Sequence, residues 1–280
     1  MHDELLSAAL DAAHAGAEIV ARWFRGADLE VRRKGENDFV TRADRESEAA
    51  VLAVIRERFP DHRILAEEGG GAGLGGGEHE WLVDPLDGTT NFLQGLPIFC
   101  VSVACRRGEE MLVGVIEDPE GRNRFSAVHG EGAFWNGRRI RTSAREGLDG
   151  AFLATGYPFR ALPTLDVYLA VFRDVFHHAK AIRRCGAAAL DLAYTAAGVY
   201  DGFFEFRLSP WDLGAGALLV REAGGVVTDL DGGAGFLTSG NVVAGGSAVQ
   251  RELLASVRRH ASEEAIERIQ PRHSPAPVGP

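Results

Sequence analysis

Apolar residues recur every three or four positions over Leu6, Leu10, Ala13, Ala17, Val20 and Phe24, which predicts an amphipathic helix at the start of the chain, with Gly26 just beyond it. The same period returns over Leu52, Ile55 and Phe59 and predicts a helix over 44–59, stopped by Pro60; Thr41 and Asp44 have capping-box spacing at its start. The pattern then shortens. "HRILAEE" (62–68), "EWLVD", "FCVSVACRR", "EMLVGVIED" and "RNRFSAVH" are apolar runs bounded by Gly, Pro or Asp, and they read as successive strands, some antiparallel, with turns at "RGEE" and "DPEGRN". From about residue 150 the two periods alternate. Strands are expected at "AFLATG", "AIRRC", "DGFFEF", "VVTD" and "NVVAGG", and helices over 165–176, 187–197, 212–222 and about 247–260.

Strands first and alternation later imply a layered α/β (α+β) protein with two sheets, not a barrel of eight repeats. Residues 1–262 form one domain on this reading, with an α+β half over about 1–148 and an α/β half over about 149–262. The segment 263–280 ends in "PRHSPAPVGP" and reads as a disordered tail.

Composition narrows the function. The chain of 280 residues carries a formal net charge of −10, so it is a poor general binder of nucleic acid, whose backbone asks for a basic face. Three cysteines, Cys100, Cys105 and Cys185, include no CxxC pair, which fits free thiols in a reducing compartment. "MHDELLSAAL" lacks the basic start of a secretory signal, and no apolar run approaches the ~20 residues that span a bilayer. The expectation is a soluble, cytoplasmic protein with neither membrane nor nucleic acid as partner.

Several motifs fail on context. Gly71, Gly73 and Gly76 fit G-x-G-x-x-G, but a strand follows where a dinucleotide site needs a helix. No G-x-S-x-G elbow or H-E-x-x-H pair occurs, and "DLDGG" (229–233) has Gly233 where a calcium loop needs a ligand. "WLVDPLDGTTNF" (81–92) is different. Asp84 ends an apolar strand, and Pro85 cannot continue a ladder, so the chain is expected to leave the sheet there. A turn at Pro85–Leu86 can bring Asp84 and Asp87 to one side and expose the Leu86 carbonyl. Gly88 and Thr89–Thr90 can then open a short helix whose N–H groups face an anion. Carboxylates beside such donors suit a hard cation and a phosphate, although an N-capping Asp87 is the plainer reading of this segment alone. Glu67–Glu68 at another strand end and Asp212 after Pro210–Trp211 add acids. Asp212, like Asp44, also reads as an N-terminal cap.

"AEEGG", "WLVDPLDGTTNF" and "SPWDLGAGALLVREAGG" together resemble the three signatures of the inositol monophosphatase family, over about residues 4–260. The resemblance implies an αβαβα sandwich of the sugar-phosphatase type, a homodimer, and Mg²⁺-dependent, lithium-sensitive hydrolysis of small phosphate monoesters. It implies two or three Mg²⁺ ions held by Glu67, Asp84, the Leu86 carbonyl, Asp87 and Asp212. Gly88 and Thr89 match phosphate-binding donors, with Asp87 and Asp212 bordering the same space. Asp44 and Thr89 match the pair that positions the attacking water, with Glu67 beside them. Gly186, Ala187, Ala188 and Glu205 match substrate contacts, and Lys34 matches a lysine on a mobile loop. Ala187 stands where inositol-specific members often carry threonine, whereas Thr90 leans toward the inositol branch. Phosphatases of fructose 1,6-bisphosphate, histidinol phosphate and 3′-phosphoadenosine nucleotides are the rivals within the family. A catalytically idle binding or regulatory protein on the same fold is the rival outside that chemistry.

Overall fold

The computed structural model describes residues 2–27, 29–35, 38–69, 76–159 and 162–261, without the side chains at 34, 35 and 38. Helix α1 (His2–Trp23) buries Leu5, Ala9, Ala13 and Val20 along one stripe. It packs on α2 (Arg42–Arg58), and Gly16 permits the close approach, since a Cβ there would lie 2.8 Å from Ser47 Oγ and from Val51. A short hairpin, β1 (Arg32–Gly35) and β2 (Asp38–Val40), joins the two helices.

The helices α1 and α2 cover one face of a seven-stranded sheet. Its order is β3 (Arg63–Ala66), β4 (His79–Asp87), β5 (Cys100–Arg107), β6 (Glu110–Asp118), β7 (Asn123–Val128), β8 (Gly132–Trp135) and β9 (Arg138–Arg139). The pair β3–β4 is parallel and the remaining pairs are antiparallel. Helix α3 (Thr89–Leu93) lies between β4 and β5 in the chain.

The second sheet has β10 (Phe152–Thr155), β11 (Ala181–Arg183), β12 (Gly202–Glu205), β13 (Val226–Thr228) and β14 (Val242–Gly245), in spatial order β11-β10-β12-β14-β13. Helices α4 (Leu165–His178) and α8 (Ser247–His260) pack together, and their core cluster takes in residues of this sheet. Helices α5 (Ala188–Ala196) and α6 (Pro210–Glu222) contact both sheets and form the middle layer; the short α7 (Phe236–Ser239) contacts α6. The layers therefore run helix, sheet, helix, sheet, helix. Every residue of α6 from Asp212 to Val220 is buried, as a helix enclosed on both faces requires. Gly114 of β6 lets that helix sit against the sheet, because a Cβ there would be 2.8 Å from Ala215 Cα. One core cluster joins Leu82 and Phe125 to Phe203 and Leu213, so the middle layer ties the two sheets together.

The helices and long strands match the periodicity within a few residues. β4 departs from it. The strand does not end at Pro85 but runs to Asp87, which pairs with Cys100 after a register shift between Asp84 and Asp87. A bulge absorbs the missing proline N–H and lets pairing resume. Hairpin β1–β2, strands β8 and β9, and α7 are too short to show a period. Gly71, Gly73 and the 263–280 segment lie outside the described residues.

Candidate active site

The bulge in β4 aims its two aspartates. Asp84, 1% exposed, accepts the Leu86 N–H on Oδ1 at 3.0 Å, which holds the Pro85–Leu86 turn. Ser47 Oγ donates to the Pro85 carbonyl at 2.8 Å, tying the same turn to α2. Asp87 accepts the Ala189 N–H at 2.8 Å and so supplies the N-terminus of α5 with the capping oxygen that Ala187 lacks. Gly88 follows with φ +90. A Cβ there would also stand 2.8 Å from the Ile98 carbonyl, so only glycine fits.

Glu67 follows β3, and its N–H donates to the Val83 carbonyl at 3.1 Å, which sets it beside the end of β4. The N–H of its neighbour Glu68 donates to Glu48 Oε2 at 2.8 Å. Asp212 occupies the third position of α6 and accepts the Ser209 N–H at 2.7 Å, with Pro210 at the first turn. Glu67, Asp84, Asp87 and Asp212, from three separate parts of the chain, line one cavity of about 410 Å³ with Gly88 and Thr89.

This crowding is electrostatically unfavourable. Burial, then the charges of Glu67, Asp87 and Asp212, push the Asp84 carboxyl well above its ordinary value. Burial and the Asp212 charge push Asp87 to about 7, against the N–H bond from Ala189. Each group resists ionisation until a cation joins it. The donors are oxygen throughout, the chemistry of a hard divalent cation rather than zinc. Among the described residues no group of three Asp, Glu, His or Cys side chains is already closed around a single ion position. The fit therefore rests on donor chemistry and the shared cavity, not on a preformed shell.

Asp44 completes the capping box and also meets Thr89. Its Oδ2 accepts the Thr41 N–H at 2.8 Å and the Thr41 hydroxyl, completing the capping box, while its Oδ1 accepts Thr89 Oγ1 at 3.2 Å. Thr89 Oγ1 also lies 3.0 Å from the Leu86 carbonyl. One hydroxyl proton can serve Asp44 or Leu86, not both together. Burial raises Asp44 to about 6. It sits behind the cavity wall and reaches it through Thr89.

On the far wall, Gly186 and Ala188 line the cavity, whereas Ala187 is fully buried and packs beneath Gly88. Ala187 thus does not reach the cavity, because the backbone must cross under Gly88 before α5 begins. Glu205 ends β12 and lines the cavity beside Gly156, where an added Cβ would fall 1.9 Å from its carboxyl carbon. The Lys34 side chain lies outside the described residues.

Two contributors escaped the sequence reading. Asn91 Nδ2 donates to the carbonyls of Ile98 and Cys185, both at 2.8 Å, and so clamps the 185–188 segment to α3. The "TTNF" run contained it but gave no sign of its distant partner. Arg184, with Tyr157 and Phe159, adds a cation and two rings to the lining.

The layered arrangement of helices and sheets is shared with solved inositol monophosphatases. The structure of inositol monophosphatase from Anabaena superposes with a TM-score of 0.82 at 36% identity, over 93% of this chain and 98% of that one. The chain belongs to the inositol monophosphatase family, whose sequence profile matches residues 1–263. Its relatives include the Nus factor SuhB of Pseudomonas aeruginosa, 46% identical over 262 residues (91% of this chain, 96% of that protein). The Nus factor SuhB of Escherichia coli is 44% identical over 260 residues, covering 92% and 97%. The extragenic suppressor protein suhB from Bartonella henselae has a TM-score of 0.88 at 40% identity, covering 92% and 99%.

Proposed function

We propose that this protein is a Mg²⁺-dependent phosphomonoesterase acting on inositol monophosphate or a related small sugar or polyol phosphate. The observation that carries this reading is the meeting of Glu67, Asp84, Asp87 and Asp212 in one cavity beside the Gly88–Thr89 helix start. These acids and the Leu86 carbonyl would hold two or three Mg²⁺ ions. When bound, Mg²⁺ supplies a Lewis acid for the phosphoryl oxygens and acidifies water.

The chain's own groups do the rest. The N–H groups of Gly88 and Thr89 meet the phosphoryl oxygens as charge grows on them. Thr89 Oγ1 orients the attacking water and passes its proton toward Asp44 Oδ1, a carboxylate that at about 6 can accept one near neutral pH. As the water oxygen bonds to phosphorus the ester P–O bond breaks, and the departing oxygen takes a proton from solvent water to leave as the alcohol. Glu205 receives substrate hydroxyls, and Gly186 and Ala188 leave room for the ring. Membership of this family supports a homodimer and lithium sensitivity. Free Cys100, Cys105 and Cys185 suit a cytoplasmic setting, and among the described residues no helix is long and apolar enough to cross a membrane.

The test is phosphate release from a panel of monoesters with and without Mg²⁺, using Asp84→Asn as control. Mg²⁺-dependent release lost in the variant is expected; a folded wild type that releases none from any ester with Mg²⁺ present contradicts the reading.

The name Nus factor, borne by the relatives, favours a second reading: a regulatory role through a macromolecular partner, with or without hydrolysis. It would also set aside the expectation of no nucleic acid partner. If Asp84→Asn abolishes phosphate release yet leaves cellular function intact, this second reading prevails.

A further inference from the structure

The cavity joins two stretches that lie far apart in the chain. Asp84, Asp87, Gly88 and Thr89 line the end that would take the phosphoryl group, and Gly186 and Ala188 line the opposite wall. Three contacts fix the spacing between them. Asp87 accepts the Ala189 N–H at 2.8 Å. Gly88 packs on Ala187, since a Cβ added to Gly88 would lie 3.3 Å from the Ala187 methyl. Asn91 holds the remaining end: its Nδ2 donates to the Cys185 carbonyl at 2.8 Å and lies 3.4 Å from the Gly186 carbonyl. The same nitrogen donates to the Ile98 carbonyl at 2.8 Å.

A primary amide has two N–H donors, and the carbonyls of Cys185 and Ile98 engage both. Asn91 is buried, so water does not replace these bonds if the amide is lost. Gly186 needs the restraint most. Its φ of +84 is ordinary for glycine alone, and it has no side chain to anchor it. Held only at Ala187 and Ala189, the wall could turn at Gly186. Asn91 also lies in α3 with Thr89, and the Phe92 N–H bonds the Gly88 carbonyl at 3.0 Å, so the clamp starts from the element that carries the phosphoryl end.

We propose that Asn91 is a positioning residue that determines specificity: by fixing Cys185 and Gly186 against α3, it sets the distance between the phosphoryl end of the cavity and the wall that receives the alcohol part of the ester. The proposal rests on the phosphatase reading and adds to it a residue that acts only through others. Asn91→Ala and Asn91→Leu, the second similar in shape but without a donor, are compared with wild type in Mg²⁺. The substrate is myo-inositol 1-phosphate, and inorganic phosphate serves as inhibitor. Phosphate occupies the phosphoryl end alone, so its Ki should change less than about threefold, whereas KM for the ester should rise about tenfold with kcat less affected. Hydrogen exchange read by mass spectrometry should be about tenfold faster at 185–189 in both variants and unchanged in β4. A purely structural asparagine would lower Tm and leave the ratio of KM to Ki as in wild type. That unchanged ratio, or unchanged exchange at 185–189, would overturn the proposal. A wild type that releases no phosphate from the ester would instead count against the phosphatase reading. In that event thermal shifts decide: a rise in Tm with the ester that both variants lose, beside a rise with phosphate that they keep, upholds the role of Asn91. Equal changes with the two ligands, or no shift with either, reject it.

Discussion

Asp84 and Asp201 are both buried aspartates, and they keep opposite company. Asp201 accepts the Phe152 N–H at 2.8 Å, Arg145 Nε at 2.9 Å and the Ser143 hydroxyl, and so fastens the approach to β10. Asp84 accepts the Leu86 N–H and otherwise meets the charges of Glu67, Asp87 and Asp212. The first carboxylate is surrounded by donors and stabilises the fold. The second is surrounded by acids and costs stability, an arrangement retained where a bound group compensates. Burial alone does not distinguish structure from function; the sign of the neighbours does.

The largest effects should separate this pair. Asp84→Asn is expected to cut phosphate release by about a thousandfold or more, equivalent to about 4 kcal/mol of barrier, while raising the Tm of the metal-free protein. Asp201→Asn should do the reverse, lowering stability by about 2–4 kcal/mol with activity retained in the folded fraction. Calorimetry and a phosphate assay read both, and an Asp84→Asn variant that melts earlier than wild type breaks the contrast. Thr89→Ala comes next. Loss of the hydroxyl that joins Asp44 to the cavity should lower kcat about 100-fold at little cost in stability, measured by steady-state kinetics and thermal melting. Gly156→Ala should be milder. Its methyl must displace the Glu205 carboxyl, so KM should rise about tenfold with kcat less affected.

The smallest effect is the most diagnostic of the electrostatics. Asp44 and Asp87 have folded values of about 6 and about 7, above the ordinary aspartate value. A raised carboxyl contributes most to folding at low pH, and that contribution is lost as pH rises through the folded value. Without metal, these two groups should therefore lower Tm progressively from about pH 4 to about pH 7. Protons and Mg²⁺ compete for the Asp87 oxygens, so the Mg²⁺-induced rise in Tm should grow by a few degrees over that window. A Tm increment that shrinks with rising pH would remove the crowded acids from the explanation.

Much of this was legible before any coordinates. The stripes of α1 and α2, the long strands β4 to β7, and α8 follow from period alone, because each has enough residues to repeat. The acids were legible too, since Asp84 and Asp87 flank a proline and Asp212 opens a helix after Pro210. What stayed hidden depends on partners far away in the chain. Asp87 caps a helix that begins 101 residues later, at Ala188, and Asn91 reaches the Cys185 carbonyl. Gly156 looks like any strand-end glycine until the Glu205 carboxyl is seen beside it. Pro85 suggested an exit from the sheet, whereas the bulge kept the strand paired, because Cys100 was placed to resume the ladder.

Anomalous diffraction from crystals grown with Mn²⁺ in place of Mg²⁺ tests the central claim most directly. The account predicts metal peaks within the cavity, in contact with carboxylate oxygens of Glu67, Asp84, Asp87 and Asp212, and their loss in Asp84→Asn crystals. A cavity without peaks at saturating Mn²⁺, or peaks elsewhere on the protein, would contradict it.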